Sequence, residues 1–187
     1  MSDSTGRVGR PRRAGVDSEV LASTVALVAE QGYARTTLDA IAKRAGVAKT
    51  TLYRRWGSKA ELAVDALAAA LGEPPGADVA GREGLATAVS WLAGRVRDPG
   101  VRLLLAGLAD EAGGDPSLRA LLRARLREPF ATRVIGAWRV DPAAVDLAFD
   151  VVVGTLLHRV AMTGEVTRTD AETVAGLATT LLFEELS

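Results

Sequence analysis

Residues 36–62 read TTLDAIAKRAGVAKTTLYRRWGSKAEL, and their spacing decides how the whole chain is read. Leu38, Ile41, Ala42 and Ala45 recur at i, i+3, i+4 and i+7, the period of one buried helix face. Thr36, with Asp39 three residues on, resembles a capping-box start in which Asp replaces the usual Glu or Gln, and Gly46 ends the helix. A short helix over about Ala48–Trp56 comes next. Ser58 with Glu61 then forms a true S-x-x-E box, opening a helix to about Leu71. On a helical wheel Ala48, Leu52 and Trp56 stack at i, i+4 and i+8 and are expected to face inward. Lys49, Thr50, Tyr53 and Arg54 cluster on the opposite face. Two short helices across a Gly-centred turn are helix-turn-helix geometry. The outward face of the second offers two cations, a hydroxyl and a phenol, the groups that meet phosphates and base edges in a major groove. The competing reading, an ordinary solvated face of a short basic helix, does not explain why turn, caps and charge distribution agree.

That charge distribution is uneven. The 187 residues carry no net charge, yet residues 1–60 hold eleven Lys and Arg against five acids, a net of +6, and the remainder carries −6. A basic first third on an acidic body suggests a nucleic-acid surface at one end. Upstream, residues 1–16 combine Gly, Ser, Pro and Arg without periodicity and read as a flexible basic arm. In it Arg10 and Arg12 flank Pro11, and an extended Arg-rich arm of this kind can enter a narrow minor groove; a disordered solubilising tail is the alternative. Leu21, Val25 and Val28 begin the helical patterning, and Gly32 stops it.

Beyond residue 72 the chain stays helical. Glu73-Pro74-Pro75-Gly76 is a strong breaker and the expected domain boundary. Helices are expected at about 83–97, 101–112, 116–138, 142–163 and 170–185, punctuated by Asp98-Pro99-Gly100, Gly113-Gly114-Asp115-Pro116, Asp141-Pro142 and Gly164. Pro116 and Pro142 each follow an Asp, an N-cap with Pro at the first helical position. Pro129 should kink or split the helix that contains it. No alternating strand pattern is present, so the fold class is all-α with about nine helices. The organisation is the arm (1–16), a helix-turn-helix domain (17–71, with a linking helix 58–71) and a second helical domain (77–187).

Composition excludes several chemistries. The absence of Cys removes disulfides and thiolate sites, and a single His, His158, excludes a multi-His metal site. There is no HExxH and no phosphate-cradling Gly loop, so neither an enzyme nor a cofactor is expected; the rival reading is an enzyme working through acids alone. The most apolar run, residues 151–157, is far below the ~20 residues of a membrane span, and no apolar targeting segment follows the N-terminus. A soluble, cytoplasmic protein without membrane contact is the expectation.

The stretch from Thr36 to Leu62 resembles the DNA-binding domain of tetracycline-repressor-type (TetR) regulators. The pattern T-x-x-x-I-A-x-x-A-G-V-x-x-x-T-L-Y-x-x-F/W-x-S-K-x-x-L is met almost throughout, with Trp56 at the usual Phe position, and the likeness spans roughly residues 17–70. The resemblance implies roles. Thr37, Tyr53 and Lys59 match phosphate-contacting positions. Thr51 matches a phosphate- or base-contacting one. Lys49, Thr50 and Arg54 match variable base-reading positions, and Arg55 a flanking position that meets the backbone. It also implies a helical second domain that binds a small effector and forms the dimer, on double-stranded DNA as partner. Gly154-Thr155-Leu156-Leu157-His158-Arg159 is typical of the family's dimerisation helix.

The residues support part of this directly. Val174, Leu177, Ala178, Leu181 and Leu182 form an apolar stripe, and the helix at 142–163 is apolar over most of its circumference. Two copies of the helices at about 142–163 and 170–185 would make a four-helix homodimer interface, suited to a palindromic operator; otherwise the stripes serve only the chain's own core. Candidate effector-pocket residues are Trp91, Leu103, Leu104, Phe130, Trp138, Phe149, His158 and Met162, each of which also reads as plain core. Asp110-Glu111 could meet a cationic effector or merely be solvated. The function that follows is an operator-specific repressor released by a small molecule, with a non-specific DNA-organising protein as the alternative.

Overall fold

The computed structural model describes residues 12–76, 79 and 81–183, and every regular element among them is helical. α1 (Arg12–Gln31), α2 (Leu38–Arg44), α3 (Lys49–Arg55) and α4 (Lys59–Leu71) form the first part. α5 (Arg82–Arg95), α6 (Pro99–Gly114), α7 (Pro116–Leu122), a π turn (Arg123–Arg127), α8 (Glu128–Trp138), α9 (Pro142–Thr163) and α10 (Arg168–Phe183) complete it. α1 starts earlier than expected. The stretch 12–16 of the expected arm is helical, because Gly15 alone disfavours a helix there and costs only about 1 kcal/mol. Arg10 lies outside the described residues.

The caps explain most boundaries. α2 is capped by Thr37, not Thr36: the Thr37 hydroxyl oxygen accepts the Ala40 N–H at 3.2 Å. Thr36 is buried, and its hydroxyl already donates to the Gly32 carbonyl at 2.9 Å. Ser58 accepts the Glu61 N–H at 3.0 Å, while the Glu61 carboxylate accepts from Gly57 N at 2.7 Å, one residue before the partner of an ideal capping box. Asp98, Asp115 and Asp141 each accept backbone N–H groups at the start of a helix whose first residue is Pro. Asp98-Pro99-Gly100 is therefore the beginning of α6 and not a gap before it. α7, the π turn and α8 run on without a break. Pro129 lacks the N–H that would bond the Arg125 carbonyl, and just before it the ladder widens so that Glu128 N–H bonds Arg123 O, five residues back.

Three clusters make the core. Val20, Ile41, Ala42, Leu52, Trp56 and Leu62 hold α1–α4 together around the helix-turn-helix. A second cluster joins Val28 and Tyr33 to Ala63, Val64 and Leu67 of α4 and to Val101, Leu104 and Leu108 of α6. The third unites α5, α8, α9 and α10. The chain's break at 73–76 is thus not a break in the packing, since α1 and α4 pack on α6. Gly107 makes that contact possible, because a Cβ there would stand 2.5 Å from the Tyr33 ring. The Tyr33 hydroxyl donates to Glu111 at 2.5 Å, and burial, with that bond and charge, pushes its pKa above the ordinary value.

Candidate DNA interface and interior cavity

α3 is anchored by Leu52 and Trp56, both buried, and the Trp56 indole N–H donates to Asp65 of α4 at 2.9 Å. With that side fixed, Lys49, Thr50, Tyr53 and Arg54 face solvent, Tyr53 with 56% of its surface exposed. Ala48 does not point inward. It is the N-cap, with extended backbone, and is exposed; Val47 packs against the cluster in its place. Thr51 is half-buried, and Thr37 is exposed at the start of α2 with its O–H free to donate outward.

Four cations of this region have partners. Lys49 pairs with Asp39 of α2, and Arg55 with Asp17 of α1. Arg44 makes a two-pronged contact with Glu30 at 2.7 and 2.8 Å. Lys59 turns inward. Its Nζ donates to the Tyr33 carbonyl at 3.2 Å and lies 4.0 Å from the centroid of the Tyr33 ring, tying α4 to the end of α1. The residue pattern marked the cations but gave no sign of these carboxylate and carbonyl partners, which come from other helices. Lys43, exposed in the last turn of α2, has no partner among the described residues and was not singled out by the sequence.

A cavity of about 530 Å³ opens between the end of α4, α5, α6, the π turn, α8 and α9. Trp91, Phe130, Trp138 and Phe149 are on its walls. Leu104 is not; it is fully buried in the cluster joining α1, α4 and α6. His158 and Met162 are also absent from it. Both are exposed, Met162 by 67%, because α9 turns Val145, Ala148, Val152, Leu156 and Val160 to the core and these two away. Leu103 and Asp110 border a separate shallow hollow beside Tyr33, and Glu111 there is held by the Tyr33 hydroxyl. The cationic side chains on the cavity, from Arg119, Arg123, Arg125, Arg127 and Arg133, faced by the single acid Glu73, were not foreseen.

Residues 20–72 match the family model of bacterial regulatory proteins, tetR family. An uncharacterized HTH-type transcriptional regulator of Mycobacterium tuberculosis is 52% identical over 50 residues, 27% of this chain, and that match spans a quarter of the relative's length. A DNA-binding transcriptional repressor TetR of Mycobacteroides abscessus is 31% identical over 159 residues, covering 78% of this chain and 82% of the relative. The chain belongs to the TetR family. A solved TetR transcriptional regulator from Rhodococcus sp. RHA1 superposes with a TM-score of 0.64 at 25% identity, over 95% of this chain and all of that one. TetR-family regulators are sequence-specific DNA-binding transcriptional regulators, and the family model falls on α1–α4, which contain the helix-turn-helix of this chain. Among the described residues, no helix is long and apolar enough to cross a membrane.

Proposed function

We propose that this chain is a homodimeric, sequence-specific transcriptional repressor, released from a palindromic operator when a small molecule fills the cavity. The observation that carries the reading is the α3 face: Lys49, Thr50, Tyr53 and Arg54 point out together while Leu52 and Trp56 clamp the other side into the core. Rigid presentation of cations, hydroxyls and a phenol from the second helix of a helix-turn-helix suits a major groove. Lys49, Thr50 and Arg54 read bases. Thr37, Thr51 and Tyr53 meet phosphates, with Arg10 and Arg12 as further cations from the N-terminal side. Arg55 and Lys59 reach DNA only by leaving Asp17 and the Tyr33 carbonyl.

The dimer reading is supported by a stripe on α9. Leu147, Val151, Gly154, His158 and Met162 recur on one face, with Leu147 51% exposed, and Leu177 of α10 adds a further 53% exposed apolar side chain. Large apolar side chains left in solvent on two adjacent helices suit an isologous helix-pair interface. The protein acts in the cytoplasm, where its DNA is, and catalyses no reaction. Coupling runs through the shared α1–α4–α6 cluster and through Asp65, which accepts from Trp56 and lies 3.7 Å from Arg125 on the cavity wall. Lys49→Ala and Arg54→Ala should change which duplexes are preferred, while Tyr53→Ala should weaken all duplexes alike, by about 1–3 kcal/mol per lost base-edge contact for the first pair. Electrophoretic shift titrations against a panel of duplexes check this, and unchanged binding in a folded Lys49→Ala/Tyr53→Ala variant would remove the reading.

A further inference from the structure

We infer that the cavity takes an anionic amphiphile: an apolar chain or ring body with a carboxylate or phosphate head. This rests on the reading of the cavity as the effector site, and it names the chemistry of the occupant. The inner walls are aromatic and aliphatic, with Trp91, Phe130 and Phe149 among them. The charged residues on the lining are five arginines and Glu73, while Asp65, Asp146 and Asp150 pair with two of those arginines from outside it. The π turn gathers this charge. Arg123, Arg125 and Arg127 stand within five residues and all line the cavity, together with Leu126. Local π turns recur at functional sites.

The partners of these arginines show where an anion fits. Arg127 is held by Asp146 at 3.0 Å and Asp150 at 3.4 Å, Arg125 faces Asp65 at 3.7 Å, and Arg119 donates to the carbonyls of Ala112 and Gly113. Arg123 has no partner among the described residues, and Arg133 has only Glu73, 3.5 Å away and 85% exposed. Arg123 is thus unpaired and Arg133 only loosely held, both are exposed on the lining, and guanidinium matches carboxylate or phosphate with paired hydrogen bonds. Trp138 adds a second, independent sign. It lines the cavity, is 92% buried, and its indole N–H has no acceptor. A buried donor without a partner asks for an acceptor-bearing occupant. A cationic occupant would meet Arg123 and Arg119, whose charge no carboxylate offsets among the described residues.

The test is calorimetric titration of the full chain with dodecanoate, dodecyl phosphate, dodecanol and dodecylamine, each below its micelle concentration. The first two separate a carboxylate from a phosphate head, and the others report the apolar body alone and the opposite charge. The expected result is that at least one anion binds about tenfold or more tighter than dodecanol, with dodecylamine weakest. In Arg123→Gln/Arg133→Gln the anion should fall to the level of dodecanol. Dodecanol binding to the same variant reads whether the apolar walls are intact. Equal binding of dodecanol and the anions, tighter binding of dodecylamine, an anion preference surviving the double variant, or no binding of any probe overturns the inference. DNA binding by the same preparation, measured separately, reads the repressor assignment, so the two fail independently.

Discussion

Lys49, proposed to read bases, is paired with Asp39, one helix away. Both side chains are exposed, so the pair contributes at most about 1 kcal/mol, and a phosphate or a guanine edge can displace the carboxylate. The carboxylate still opposes binding twice, by competing for the ammonium and by facing the polyanion. Asp39→Asn should therefore raise affinity for every duplex by about two- to fivefold, an effect that shrinks as salt rises. Anisotropy titrations at two ionic strengths measure it, and a loss of affinity would mean that Asp39 orients Lys49 productively instead. Lys59 differs in kind. Its charge sits over the Tyr33 ring and its Nζ on a carbonyl, so it serves the joint between α1 and α4 first. The pattern of types and spacings marked both lysines as cations near DNA; only the packing of α1 against α4 separates them.

At the scale of helices, the boundaries legible in the sequence were those written by local chemistry. The starts at Asp115-Pro116 and Asp141-Pro142, the Ser58–Glu61 pair, and Gly46 and Gly164 with positive φ are read residue by residue, because capping and left-handed turns depend on a few neighbours; Asp98-Pro99, of the same type, reads as a break because Gly100 follows it. What was not legible was phase. α9 is apolar on nearly every side, so hydropathy gives no direction to Leu147, His158 or Met162, and only the positions of α8 and α10 decide which face is core. Thr167 and Asp170 form a further local cap, of the same spacing as Thr36 and Asp39, that was not singled out from the sequence. The Asp170 carboxylate accepts from the Thr167 backbone N–H at 2.9 Å and hydroxyl at 2.8 Å, and Arg159 lies 2.9 Å away. These bonds, with the arginine, hold its pKa below the ordinary 3.8. A depressed carboxylate stabilises the fold above its unfolded pKa, and that contribution fades as pH falls through the folded value. Asp170→Asn should lower Tm at neutral pH, and the gap to the parent should close progressively below about pH 4. Melts across that range give the answer; a gap independent of pH would assign the effect to shape and not to charge.

For the whole molecule, the informative feature is that the two domains share a core. Tyr33, at the end of α1, packs on Gly107 of α6, and Leu104 and Leu108 join the same cluster as Val64 and Leu67 of α4. A shift of α6 cannot leave the helix-turn-helix still, because close-packed interiors move as units. In the proposed dimer, the apolar stripe of α9 and α10 would give this coupling a two-fold partner to act against. Leu147→Glu/Leu177→Glu should convert a dimer into a monomer by sedimentation while leaving the helical content intact, since both side chains are more than half exposed and contribute little to the chain's own core. Operator affinity should drop by about a hundredfold or more, because one helix-turn-helix holds only a half-site. A dimer that survives the double change would place the interface elsewhere.

The central claim is that the α3 face reads sequence. The direct measurement is selection of bound duplexes from a random pool, followed by competition of the selected duplex against unrelated DNA at physiological salt. The account predicts an inverted repeat, bound about 10³-fold or more tighter than unrelated duplex, with the preference lost in Lys49→Ala/Arg54→Ala. A pool that yields no repeat, with all duplexes bound alike and affinity collapsing steeply with salt, would contradict it and leave a protein that holds DNA by charge alone.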